Sequence, residues 1–306
     1  YAAFPAWAAF AAGLKARSLQ AWDWAMTHPR DYKADTGEIK SGLANRNAQD
    51  HDRLEFLAAV HLWALTGDPK FHAVIRNRAP ATHQLGEGQW GAYGVVDDGE
   101  ALGAYAEMLG ADPALVARIR ERLAQSATDY GWAPPATADL YRAWMYIDAY
   151  HWGSSTPRAS YGVGALQAVA HGRLPPADQA RLRQRALDLL HSFHGVNPLS
   201  MVHLTNMGRL GAERSVTRIW NERFNFNTPY AANPPPGYVT GGPNHGYDGK
   251  NKDGEPDTVG WVRQQPRGKA YADFNEPWPL NAWALTENAI YYQAAYIRLL
   301  AHFVGK

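Results

Sequence analysis

The chain has 306 residues, 46% of them apolar, which is enough to bury one large core or at most two domains. A formal net charge of +1, with no Lys/Arg run, excludes a long-range field directed at nucleic acid or an acidic membrane surface. Cysteine is absent, so disulfides, thiolate nucleophiles and cysteine-based zinc sites are excluded.

Helical periodicity dominates from the start. Residues 4–27 carry Phe4, Trp7, Phe10, Leu14, Leu19, Trp22 and Met26, an apolar stripe of period near 3.6, closed by His28-Pro29. The chain enters this pattern with no initiator Met and no basic leader, and so reads as a fragment or a processed product. A second helix is expected over 51–66, with Leu54, Leu57, Ala58, His61, Leu62 and Leu65 inward and Gly67-Asp68-Pro69 as its stop. Short helices follow near 69–77 and 98–109. Asp112-Pro113 then opens one that runs to about 128, with Asp at the cap and Pro in the first turn.

The pattern predicts further helices over 138–149, 157–171, 177–193, 198–207 and 212–222. A last helix is expected over 279–303, with Trp283, Ile290, Tyr291, Ala294, Ile297, Leu300 and Phe303 facing the core. Residues 224–278 differ: Pro, Gly, Asn and Asp are dense and no period holds, the composition of a long functional loop. No strand signal, sequence repeat or Gly/Ser linker appears, and no apolar run reaches the roughly 18 residues of a membrane span. About nine helices joined by aromatic and polar loops fit an all-α toroid of paired helices or a plain helical array.

Twelve Trp and sixteen Tyr are the compositional excess. Their flat faces with polar edges suit stacking on sugar rings, and equally suit packing between helices. Glu287 follows an aromatic loop that includes Trp278 and Trp283. A carboxyl beside those rings would be partly desolvated and its pKa raised, as a general acid requires. A first-turn glutamate complementing a helix dipole is the alternative reading. His151 and Trp152 can bond and stack a pyranose, or cap a helix end. Asp248, Asn251, Asp253 and Asp257 place hard oxygen donors around one turn, a candidate Ca²⁺ loop without EF-hand spacing, or simply a solvated loop. The dispersed histidines form no zinc pattern.

Several motifs occur in order along the chain. They are Ala21-Trp22-Asp23-Trp24-Ala25, Leu65-Thr66-Gly67-Asp68, Tyr150-His151-Trp152-Gly153-Ser154, His194-Gly195-Val196-Asn197-Pro198-Leu199 and Gly241-Gly242-Pro243-Asn244. The last runs from Tyr271 through Thr286-Glu287-Asn288 to Leu300. Together they resemble the carboxyl-terminal part of the catalytic domain of glycoside hydrolase family 9, in its bacterial cellulase and cellobiohydrolase branch. The resemblance implies an (α/α)6 barrel, incomplete at the amino-terminal side, with residues 1–306 as part of one catalytic domain. It implies a secreted or periplasmic bacterial enzyme cleaving β-1,4-glucosidic bonds in cellulose or related β-glucans.

In the family the glutamate before Asn is the proton donor, which maps onto Glu287. Substrate binding would fall to His151, Trp152, Asn221, Arg223, Tyr271 and Trp278. Asn221 stands where the family places a His near an Arg, which bears on substrate or cleavage mode. Family enzymes invert the anomeric carbon, their base coming from an Asp-Ala-Gly-Asp motif that this chain lacks. The base is therefore expected from an amino-terminal segment, with a β-glucan or cello-oligosaccharide as the other partner. No cofactor is expected beyond a structural Ca²⁺ as candidate. An exo-acting β-glucosidase or glucosaminidase, or a non-catalytic carbohydrate-binding barrel, are the rival readings.

Overall fold

The computed structural model describes residues 4–37, 45–86, 95–126 and 139–304. Helices account for the regular structure, and among the described residues only isolated β-bridges occur. The ten α-helices are α1 Ala8–Thr27, α2 Ala48–Thr66, α3 Pro69–Arg78, α4 Val95–Ala106, α5 Pro113–Ser126, α6 Ser155–His171, α7 Pro176–Phe193, α8 Gly260–Arg263, α9 Trp283–Thr286 and α10 Ile290–Ala301. None is long and apolar enough to cross a membrane. The chain divides into two compact units, one of residues 1–89 and 97–122 and one of residues 90–96 and 123–306.

In the first unit the expected ends at Gly67, Asp68-Pro69 and Asp112-Pro113 hold, while α2 starts three residues before the expected 51. Asn47 and Asp50 form a reciprocal capping box at the start of α2, and Gly67 at φ +67° ends it in the left-handed region. Asp68 caps α3 with Pro69 in its first turn. The Asp112 carboxylate accepts from the amides of Ala114 and Leu115 at the start of α5.

The facing residues are less well anticipated. α2 buries Phe56, Ala59, Val60 and Leu62, while Leu54, His61 and Leu65 are exposed. On α1 only Trp22 is buried, edge-on against Phe71 at 5.3 Å. Phe4, Trp7, Phe10, Leu14, Trp24 and Met26 are exposed, so the expected inward stripe is an open apolar face.

The second unit is built around α6, whose residues from Ser155 to Val169 are all buried. Such a helix has no solvent face and is packed on every side. It lies against α7 and α10. Their shared core includes Tyr161, Leu166, Leu189, Phe193, Tyr292, Tyr296 and Leu299. A Cβ on Gly162 would meet Leu299 Cδ1 at 2.6 Å, so this glycine sets how closely α10 approaches α6.

The expected helices over 138–149, 198–207 and 212–222 do not form in the described residues. The first reduces to a 3₁₀ turn, Ile147–Ala149, and another 3₁₀ turn, Met207–Leu210, follows the second. Residues 202–216 are held instead by cross-chain bonds, Val216 N–H to Val202 C=O at 3.0 Å and Asn206 N–H to Val216 C=O at 2.9 Å. Apolar spacing there reflects burial of an irregular chain, with Leu204, Val216 and Ile219 all in the core. Positions 127, 128 and 138, at the ends of two expected helices, lie outside the described residues.

Residues 224–278 are irregular as expected, but they pack around a core of their own. Val216, Tyr247, Val259, Val262, Tyr271 and Leu285 form it.

Candidate active site

The last helix is not continuous. α9 ends at Thr286, Glu287 turns the chain to φ −56°, ψ 143°, and α10 begins at Ile290. Glu287 therefore sits between two helices in extended backbone, which overturns its placement in a helix first turn and removes the dipole reading. The break also shifts the facing residues: α10 buries Tyr292, Ala295, Tyr296 and Leu299, whereas Ile290, Tyr291 and Ile297 are exposed.

Backbone bonds hold Glu287 from several directions. Trp220 pairs with it as an isolated parallel bridge, Trp220 N–H donating to Thr286 C=O at 3.1 Å. The Gly241-Gly242 segment runs between the start of α6 and the end of α9. Ser155 N–H donates to Gly241 C=O at 3.0 Å, and Gly242 N–H donates to Leu285 C=O at 3.0 Å. Only glycines fit: a Cβ on Gly241 would meet Leu285 O at 2.9 Å, and Gly242, at φ +90°, would meet the Ser155 and Ser154 hydroxyls at 2.7 and 2.8 Å. Asn244 extends the clamp, its side-chain amide donating to Ala284 C=O at 3.0 Å.

A second anchor joins the segment before α9 to the 216–220 stretch. Asp273 accepts from Thr217 N–H at 2.7 Å, Thr217 Oγ1–H at 2.8 Å and Arg218 N–H at 3.1 Å. Burial nonetheless raises its pKa above the ordinary Asp value, these bonds opposing the shift. Thr286 Oγ1 donates to Phe274 C=O at 3.0 Å, tying the same segment to the residue before Glu287.

The Glu287 carboxylate accepts from Trp152 Nε1–H at 2.9 Å. The Tyr292 hydroxyl, one turn into α10, also bonds it. Burial raises the Glu287 pKa above the ordinary Glu value, and the two donors, which favour the charged form, pull part of it back. Gly153, at φ +82°, makes room for this arrangement, since a Cβ there would meet the Tyr292 hydroxyl at 2.6 Å.

Trp220, whose backbone bridges to Glu287, has its ring centre 5.4 Å from that of Trp283, and Phe226 stacks on Trp220 at 5.9 Å. Trp220, Phe226 and Tyr292 escaped the sequence reading. Trp220 and Phe226 lie in stretches read as helix and loop, and the expected last helix put Tyr291, not Tyr292, inward.

The other expected site residues separate. Trp152 is adjacent to Glu287 and half exposed (49%), with its N–H committed to the carboxylate and much of its ring in solvent. Next to it, His151 bonds the Trp152 carbonyl through Nδ1 at 2.8 Å. Asn221 donates to Asn288 Oδ1 at 2.8 Å and accepts from the amides of Arg223 and Phe224, each at 2.9 Å. It shapes the turn beside Glu287, with little hydrogen-bonding capacity left for a ligand. Arg223 lays its guanidinium over the Tyr230 ring at 4.4 Å.

Tyr271 is 2% exposed, edge-on to His203 at 5.1 Å, and donates to Thr240 Oγ1 at 3.3 Å. It belongs to the core under the loop and does not reach a ligand surface. Trp278 is 71% exposed.

The acidic loop disperses its oxygens. Asp248 accepts from Asn281, Asn251 from Thr258, and Asp257 from the amides of Val259 and Gly260 and from Arg263. Among the described residues no three His, Asp or Glu side chains gather as a metal site would need. Asp248, Asn251, Asp253 and Asp257 thus do not converge as a Ca²⁺ loop would require; bonds within the loop take up Asn251 and Asp257, and the distant Asn281 bonds Asp248.

The profile of glycosyl hydrolase family 9 matches residues 1–300. The chain belongs to glycosyl hydrolase family 9. Among solved structures it is similar to a metagenome-derived family 9 endoglucanase, at 25% identity and a TM-score of 0.61 over 97% of this chain. That match covers 48% of the endoglucanase, so this chain spans about half its length.

The family 9 endoglucanase J30 matches at 24% identity and a TM-score of 0.60 over 83% of this chain and 42% of its own. AaCel9A, solved in complex with a cellobiose-like isofagomine, matches at 20% identity and a TM-score of 0.54 over 82% and 43%. No curated protein sequence matches. The helical fold of this chain is that of family 9, the all-α (α/α)6 class that the motifs implied.

Proposed function

We propose that this chain carries the acid half of an inverting family 9 glycoside hydrolase acting on β-1,4-linked glucans, with Glu287 as proton donor. The observation that carries the reading is the Glu287 carboxyl itself. It is desolvated enough to favour the protonated form, yet held in a single orientation by Trp152 Nε1–H and Tyr292. A general acid requires both a raised pKa and a fixed aim. Trp152, bonded to that carboxyl and half exposed, offers a ring face there for a sugar to stack on. The endoglucanase relative and the cellobiose-like ligand of AaCel9A favour a cello-oligosaccharide or β-glucan as that sugar.

We place the base on a further segment of the enzyme, because the chain lacks the Asp-Ala-Gly-Asp motif. An inverting pair stands roughly 6.5–9.5 Å apart. Burial and two hydrogen bonds account for the Glu287 shift, with no neighbouring carboxylate among its causes. The exposed apolar face of α1 supports a further segment of the enzyme as the partner that brings the base. With Glu287→Gln in the full-length enzyme, cellopentaose turnover is expected to fall about 10²–10⁴-fold, the range of lost acid catalysis. A variant as fast as its parent overturns the assignment.

A further inference from the structure

Away from Glu287, the second unit contains a cavity of about 300 Å³ between the 139–150 stretch, α6 and the Val196–Pro198 turn. Its lining includes Tyr141, Trp144, Tyr150, Arg158, Asn197 and Arg267. Neither Glu287, Trp152, Asn221 nor Tyr292 contributes to it. Three aromatic rings and two guanidinium groups are set into a mixed wall that also holds Asp139.

Arg158 is the unexplained feature. The residue is only 6% exposed, and no carboxylate or hydrogen-bond acceptor among the described residues meets its guanidinium. Its guanidinium lies 5.8 Å from the centre of the Tyr150 ring. Burying a charge costs several kcal/mol unless a counter-charge or hydrogen bonds compensate it.

The carboxylate on the wall is Asp139. Asp139 accepts from the amides of Tyr141 and Ala143, and its charge acts on Arg185. Burial and then Arg158 pull the pKa of nearby His203 down to about 3. Arg267, also on the wall, donates to Ile147 C=O at 2.9 Å and pairs with Asp148 at 3.6 Å.

We infer that this cavity binds a sugar acid, a pyranose whose carboxylate meets the Arg158 guanidinium while its ring lies against Tyr141, Trp144 and Tyr150. The volume lies at the small end of the roughly 300–1,000 Å³ typical of ligand sites, which suits one monosaccharide unit. A guanidinium fork takes a carboxylate through two parallel N–H···O bonds, and aromatic faces take the apolar face of the ring. A neutral sugar would leave Arg158 unpaired, and a bare small anion would leave the aromatic rings uncovered.

Titration calorimetry of the 306-residue chain with glucuronate, glucose, acetate and inorganic phosphate tests this. Glucuronate is expected to bind at least about tenfold more tightly than each of the other three. Arg158→Gln is expected to remove at least about tenfold of that affinity. Val196→Trp, which fills the exposed rim and leaves Arg158 in place, is expected to do the same. Glu287→Gln is expected to bind glucuronate as the parent does. Should Arg158→Gln fail to fold, Val196→Trp decides with Arg267→Gln, for which a weaker loss is expected. Glucose, acetate or phosphate binding as tightly as glucuronate overturns the assignment. So does undiminished binding in the folded Arg158 or Val196 variant, or loss of binding in Glu287→Gln.

Discussion

Glu287 is tuned by opposing forces. Burial pushes its carboxyl toward the neutral form, and Trp152 Nε1–H and Tyr292 pull it back toward the charged one. Replacing Trp152 by Phe keeps an aromatic ring and removes the donor. The Glu287 pKa is then expected to rise further, and because an acid catalyst is active while protonated, the basic limb of the kcat/KM–pH profile should move upward. A limb that stays put or moves down would show that Trp152 does not tune the carboxyl.

The same burial predicts a stability cost. A carboxyl whose folded pKa exceeds its unfolded value opposes folding at pH above both, and the penalty fades as pH falls through the folded value toward about 4.3. Glu287→Gln is therefore expected to raise Tm at pH 7 and to leave it unchanged near pH 3.5, as read by thermal melts at the two pH values.

At the scale of elements, what places the carboxyl is the interruption between α9 and α10. A continuous helix would direct residue 287 along the helix surface. The observed extended linker instead pairs it with Trp220 and with the Gly241-Gly242 segment. Gly242 is the tightest point, at φ +90° and wedged against the Ser154 and Ser155 hydroxyls. Gly242→Ala is expected to cost at least about 1–2 kcal/mol from the left-handed backbone alone. Urea unfolding should show the loss, and a Cm equal to the parent's would mean that the segment relaxes freely.

For the whole molecule, pH sensitivity is expected to centre on buried histidine. His203 is 3% exposed, and its folded pKa of about 3 lies far below the unfolded value near 6.5. The unfolded chain takes up that proton first, so stability is full above about pH 6.5 and declines as pH falls toward 3. His194 is lowered too, by burial and then by His191, and adds to the same decline. His203→Phe keeps the ring packed on Tyr271 and removes the titration, so its Tm should vary less than the parent's between pH 6.5 and 4. An unchanged slope in that window would assign acid sensitivity elsewhere.

The sequence alone determined the elements whose signals are local. Gly67, Asp68-Pro69 and Asp112-Pro113 mark helix ends through bonds to backbone one turn away, and the structure keeps them. The ordered motifs were sufficient to place the chain in family 9, because glycines such as Gly153, Gly241 and Gly242 answer to close approaches that tolerate no side chain. Tertiary packing alone decided which faces are buried, since apolar spacing cannot distinguish an inward stripe from one a residue away. It turned the expected helices over 198–207 and 212–222 into bridged, irregular chain, where long-range pairing outweighs local propensity. It also moved Tyr271 from ligand surface to core, and it left Arg158 buried beside a cavity. These outcomes depend on residues far apart in sequence, and the short-range pattern of a chain carries no record of them.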